Sequence, residues 1–188
     1  MLWPLFIAAS LASAGADPPP APRVVGLGMG FQAGSQAIHG VAWVPAADWR
    51  TVEVRVFTGP KTSVDFGTDW LRLILSRLLT SAPTLPMSVC LHLRLPTDGG
   101  WALAVAPGLD LGIGLESVIR EEQLAHRPLV ALSPSAKLGF EHTSRGGHYD
   151  YGFYLRGSTG ATFAPSGTKR YSRLVLEMTH TWNILGTR

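Results

Sequence analysis

The sequence predicts an all-β fold, an eight-stranded antiparallel up-and-down transmembrane β-barrel, and three observations carry that prediction. Only 15% of the 188 residues are charged while 46% are hydrophobic, whereas soluble domains carry about a quarter charged residues. The 21 glycines and 14 prolines weaken helix interiors and suit turns and strand ends. From Arg23 onward the side chains alternate with period two, so that one face of each strand is greasy and the other polar or tiny. So much apolar surface excludes a disordered chain. The single cysteine, Cys90, excludes an intrachain disulfide and a Cys-based zinc site.

The first segment, 1–16, reads as a signal peptide: an apolar core is followed by Ala12-Ser13-Ala14 and Ala14-Gly15-Ala16, with cleavage expected near Ala16. Residues 17–22, Asp-Pro-Pro-Pro-Ala-Pro, form a stiff Pro-rich leader. The barrel domain is expected over 23–188. No later run has the length of a spanning helix, so any crossing must be made by strands.

The first strand sets Val25, Leu27, Met29 and Phe31 against Val24, Gly26, Gly28 and Gly30. Weaker alternation marks strands at 36–45 and 50–58, the latter with Val52, Val54 and Val56 against Glu53 and Arg55. A long link over 59–86 contains an amphipathic stretch at 70–80, where Trp70, Leu71, Ile74, Leu75, Leu78 and Leu79 share a helical face. It predicts a short helix, with a ninth strand as the alternative because Leu71, Leu73 and Leu75 also alternate. Strands follow at 87–95 and 101–115, then at 130–141 and 149–156, and last at 173–184. Short links near 46–49, 96–100 and 143–147 are rich in Gly, Pro or Asp, and longer ones are expected at 59–86, 116–127 and 158–168.

Strands survive in hydrocarbon only as a closed barrel, because every backbone N–H and C=O must be paired. An even strand count with alternately short and long links places both termini and the short turns on one side, the periplasmic side of a bacterial outer membrane. On that topology Trp43, Trp49, Trp101, Phe140, Tyr149 and Trp182 fall near the periplasmic strand ends and Phe31, Phe57 and Tyr171 near the outer ends, as interfacial aromatics do. The polar face collects Glu53, Arg55, His92, Arg94, Asp110, Lys137, Glu141, Asp150, Arg156, Arg173 and Glu177. An eight-stranded barrel is only wide enough for side chains to fill. Interleaved acids and bases there predict a plugged or narrow polar lumen.

Three stretches carry a resemblance: Val24 to Phe31, the strand from Pro134 that ends in Gly139-Phe140-Glu141, and the closing Leu174 to Met178. Over about residues 23–184 the chain resembles the small outer-membrane β-barrel proteins of Gram-negative bacteria, the OmpA/OmpX-like porin-family group. The resemblance implies an outer-membrane protein without catalytic activity or cofactor, acting in a structural, adhesive or small-solute role through its outer loops. Its implied partners are outer-membrane lipid and the barrel-assembly machinery, and no nucleic acid.

One constellation is enzyme-like. His142-Thr143-Ser144 places a histidine and a serine on the same strand face, and outer-membrane lipid hydrolases use such a pair as base and nucleophile. A solvated hairpin turn is the simpler reading, because Arg145-Gly146-Gly147 follows directly. His39, His92, His126 and His180 lie on separate elements without metal-ligand spacing. A soluble lipocalin-like barrel with inverted faces is a further alternative, but it would expose the glycine face to water.

Overall fold

A computed structural model describes residues 22–38, 44–68, 84–120 and 123–186. Within them the strands are β1 (Arg23–Ile38), β2 (Val44–Phe57), β3 (Thr62–Thr68) and β4 (Thr84–Pro96), followed by β5 (Trp101–Arg120), β6 (Gln123–Thr143), β7 (Tyr149–Ala164) and β8 (Gly167–Leu185). Each pairs antiparallel with the next, and β8 returns to β1 to close the ring. The links 58–61, 97–100 and 144–148 share one end with Arg23 and Leu185; this is the turn end. At the opposite, hairpin end lie Ile38, Val44, Thr68, Thr84, Arg120, Gln123 and the link 165–166.

The strand number matches the sequence reading, but its placement in the first third does not. Among the described residues 36–45 is not a strand of its own: β1 continues to Ile38, and Pro45, Ala46, Ala47 and Asp48 belong to β2, opposite Ser35, Gly34, Ala33 and Gln32. Proline is tolerated at the start of a strand, and the alanines beside it offer no turn chemistry. The missing strand is β3, inside the expected 59–86 link, and the turn before it is Thr58-Gly59-Pro60-Lys61. Phe57 therefore lies at the turn end rather than the outer end, and Trp49 stands opposite Phe31, away from the turns. Trp43, the expected helix at 70–80, the signal peptide and nearly all of the leader lie outside the described residues.

The links expected at 116–127 and 158–168 are mostly strand. Pairing continues to Arg120↔Gln123 and to Ala164↔Gly167. Beyond the hydrocarbon no face need stay apolar, so the alternation fades while the backbone ladder persists.

The two faces are inverted relative to a soluble protein. Leu176 is 66% exposed, whereas its neighbours Val175 and Glu177 are 1% exposed. Leu27, Leu91, Leu109, Leu138 and Phe140 are likewise exposed on the outside. Inside, small residues make room for large ones. A Cβ on Gly152 would come within 2.4 Å of the Tyr154 ring, and one on Gly139 within 2.0 Å of the Phe153 carbonyl oxygen.

Candidate functional site: the charged lumen

Strand parity turns every second side chain inward, and the ring of eight strands brings those side chains together from all sides. Of the predicted lumen residues, Glu53, Arg55, His92, Arg94, Lys137, Glu141, Asp150, Arg156 and Glu177 are all at most 4% exposed. Asp110 and Arg173 are half-buried, towards the hairpin end. They form two tiers.

The turn-end tier centres on Arg55. Its Nε and Nη2 donate to the two Asp65 carboxylate oxygens, each at 2.9 Å, and its Nη1 donates to Glu141 Oε1 at 2.8 Å. Such two-pronged pairing is what the planar guanidinium is shaped for. Arg94 Nε and the Tyr154 hydroxyl also donate to Glu141. His92 stands between two carboxylates, its Nδ1 2.9 Å from Asp65 Oδ2 and its Nε2 3.3 Å from Glu141 Oε1. Glu53 Oε1 lies 3.6 Å from Arg55 Nη2. At the mouth, Arg23 Nη1 donates to Asp150 Oδ1 at 2.8 Å, and the same oxygen accepts from Thr143 Oγ1 at 2.7 Å. The Arg23 and Arg94 guanidinium groups lie 4.7 and 5.0 Å from the Phe57 ring centre, which caps the tier.

The second tier lies towards the hairpin end around Glu177. Gln32 Nε2 donates to its Oε2 at 2.6 Å, Lys137 Nζ to its Oε1, and Arg156 Nη1 to Oε2 at 3.3 Å. Arg156 Nη2 also donates to Asp110, which accepts from Ser135 Oγ at 3.3 Å. The Tyr154 ring separates the tiers, with Lys137 Nζ 5.5 Å from its centre.

Charges removed from water cost several kcal/mol each unless they are well paired. Here acids and bases alternate across the lumen, so each carboxylate of the central pair Asp65 and Glu141 meets more than one donor. The arrangement links facing strands across the interior.

Several members escaped the sequence reading. Asp65 sits on β3, where Ser63, Asp65 and Gly67 alternate with Val64 and Phe66, a signal hidden by the shortness of the strand. Arg23 turns inward because the β1–β8 register shifts between Arg23↔Leu185 and Val25↔Ile184. This one-residue bulge reverses the parity at the strand start. Tyr171, expected in the outer aromatic belt, instead donates from its hydroxyl to Ser133 Oγ at 3.0 Å. The enzyme-like pair separates: Ser144 Oγ accepts the Tyr149 backbone N–H at 3.0 Å and serves the turn, while His142 packs its ring 4.9 Å from Trp101 outside the barrel.

No family model matches the sequence, and no curated protein does. Among solved structures the chain is similar to Neisserial surface protein A, at 9% identity over 85% of this chain and 97% of that one, with a TM-score of 0.56. It is also similar to the outer membrane protein OprG from Pseudomonas aeruginosa, at 11% identity over 90% of this chain and 100% of that one, with a TM-score of 0.53. The fold is that of the small outer-membrane β-barrels. In a barrel of this kind the outward leucines face hydrocarbon.

Proposed function

We propose that this outer-membrane barrel is a sealed, non-catalytic scaffold that presents its outward hairpins, acting in surface attachment or in contact with solutes outside the cell. One observation carries the reading: the lumen is filled across its width by buried ion pairs from Asp65, Arg55, Glu141 and Arg94 to Lys137, Glu177 and Arg156. With passage closed, the accessible polar surface lies at the hairpin end, which faces outward when the short turns face the periplasm. There β5 and the β7–β8 turn are tied together, since Glu116 accepts bonds from both the backbone N–H and the hydroxyl of Ser166. Lipid of the outer membrane and the barrel-assembly machinery are its expected partners. Planar-bilayer recording of the refolded chain tests the seal: small or no steady conductance is expected, and a stable open pore would overturn it. Replacing 116–127 by a short turn should leave the barrel heat-modifiable on a gel while removing surface binding. Unchanged binding after loss of every outer hairpin would refute the presenting role.

A further inference from the structure

Beyond the Glu177 tier the inward positions open towards the hairpin end. At the tier they are buried, with Ser133 at 0% and Arg156 at 3% exposure. Further out Gly112, Arg127, Thr162, Tyr171 and Arg173 are half-buried, so water reaches them. Thr84, where β4 begins, stands opposite Gly114, and β5 and β6 stay paired beyond it to Arg120↔Gln123. Within the described residues the wall around this opening is therefore tallest at β5–β6.

The inner face of that wall carries an aromatic ring between two cations. Tyr171 on β8 pairs with Gly160 on β7, yet its hydroxyl donates to Ser133 Oγ on β6 at 3.0 Å. The ring thus crosses β7 over Gly160, where a Cβ would stand 2.3 Å from Ser133 Cβ, and turns one face to the lumen. Lys169 and Arg173 occupy the neighbouring positions on the same face of β8, about 7 Å to either side, each paired with a hydroxyl residue, Thr162 and Ser158. Arg127 joins them opposite Glu116. The Glu116 carboxylate accepts from the Ser166 backbone N–H at 3.2 Å and from its hydroxyl, and it lies in the field of both Lys169 and Arg127. Among the described residues no carboxylate forms a salt bridge with Arg127 or Lys169.

Among the described side chains, Arg127, Lys169 and Arg173 thus face one acid, whereas Lys137 and Arg156 in the tier below balance Glu177 and Asp110. Outward positions at this height are apolar and exposed, at Ile113, Leu115, Val130 and Phe163. Most of the positive charge is turned to the barrel axis, away from surrounding lipid. An aromatic face packs on the C–H face of a sugar ring, hydroxyl residues match sugar hydroxyls, and guanidinium and ammonium groups pair with a carboxylate. A simple anion would need no aromatic platform, and a neutral sugar would leave the cations unanswered.

We propose that this opening binds an acidic carbohydrate from outside the cell, with one sugar ring on the face of Tyr171 and its carboxylates on Lys169, Arg127 and Arg173. The proposal names the partner of the presenting role above and rests on the hairpin end facing outward.

The refolded full chain in phospholipid nanodiscs free of lipopolysaccharide provides the test, with trigalacturonate, neutral maltotriose and citrate as probes. Trigalacturonate should bind at least about tenfold more tightly than either of the others, and R127Q/K169Q should lose about tenfold of that affinity. A heat-dependent gel shift reports whether the variant folds. A second measurement needs no variant: trigalacturonate should slow the modification of Arg127 by phenylglyoxal, read by peptide mass spectrometry, and maltotriose should not. Maltotriose or citrate binding as tightly as trigalacturonate, unchanged affinity in the folded variant, or an unprotected Arg127 would overturn the proposal. Both ends of the barrel meet solution in a nanodisc, so these results do not depend on which end faces outward; an inverted barrel shows instead in cysteine labelling on intact cells.

Discussion

Replacing Arg55 by methionine removes the hub of the turn-end tier while keeping much of its hydrocarbon stem. Arg55 makes two bonds of 2.9 Å to Asp65 and one of 2.8 Å to Glu141, and it also lies 3.6 Å from both Glu53 and Asp150. At an effective dielectric near 20, one such contact is worth about 4 kcal/mol before desolvation is counted. The desolvation of Asp65 and Glu141 is not recovered when Arg55 leaves, so the net loss should be about 3–5 kcal/mol. A second change separates lost attraction from stranded charge. In R55M/D65L the stranded Asp65 is gone and Glu141 keeps its bonds from Arg94 and Tyr154, so the double variant should be more stable than R55M alone. Equilibrium urea unfolding in lipid vesicles, followed by tryptophan fluorescence and by gel mobility, gives both values. A loss below about 1 kcal/mol for R55M, or a double variant weaker than R55M, would refute the claim that these charges are dehydrated and mutually dependent.

Neighbouring residues on β6 give a test of facing: Leu138→Arg should cost about 2–4 kcal/mol through exposure to hydrocarbon, and Lys137→Met should also destabilise by removing the donor to Glu177 Oε1, whereas a water-soluble barrel would tolerate Leu138→Arg. Gly152→Ala should lose about 1–3 kcal/mol because its methyl meets the Tyr154 ring, and the companion Tyr154→Phe/Gly152→Ala should not recover it, since the ring remains. A cysteine at Lys61 should resist a membrane-impermeant maleimide on intact cells while one at Gly167 reacts; the reverse pattern would invert the orientation of the barrel. At the exposed hairpin end the Ser166 hydrogen bonds, helped by Lys169 and Arg127, hold the Glu116 carboxyl below its ordinary range. A depressed acid contributes its stabilisation above the unfolded value and loses it as pH falls through the folded one. Spin labels on the β5–β6 and β7–β8 tips should therefore stay close while the Glu116 carboxylate is ionised and separate as acid protonates it, below the ordinary glutamate range, and Glu116→Gln should abolish the pH dependence.

From β4 to β8 the alternation was legible because each strand must keep a continuous apolar face through the bilayer. Leu103, Leu109 and Leu138 on one face, and Lys137, Glu141 and Glu177 on the other, follow from parity alone. The first third was less legible for local reasons. β3 has seven residues, too few for alternation to stand out beside Gly59-Pro60, so Asp65 was lost with it. The β1–β2 register shifts between Gly28↔Glu53 and Gly30↔Arg50, which breaks the period in the middle of β2 and made its halves read as separate elements. Arg23 was concealed by a bulge, and no single-sequence period marks where a bulge falls. The partners within the lumen could not be read at all, since parity says which side chains point inward but not which strands stand opposite.

That last gap shows what the charges accomplish for the fold. The turn-end tier draws Arg23 from β1, Arg55 from β2, Asp65 from β3, His92 and Arg94 from β4, Glu141 from β6, and Asp150 and Tyr154 from β7. Neighbouring strands alone cannot satisfy it. In a partly assembled sheet Arg94 and Glu141, separated by β5, would lack one another, and Arg23 could not reach Asp150 until β8 had met β1. Any state with a dehydrated but incomplete lumen leaves charges unpaired at several kcal/mol each. An apolar interior would stabilise such states almost as well as the closed barrel. The ion pairs therefore penalise partial closure and wrong registers, which makes closure of the β1–β8 seam and formation of the plug one cooperative event.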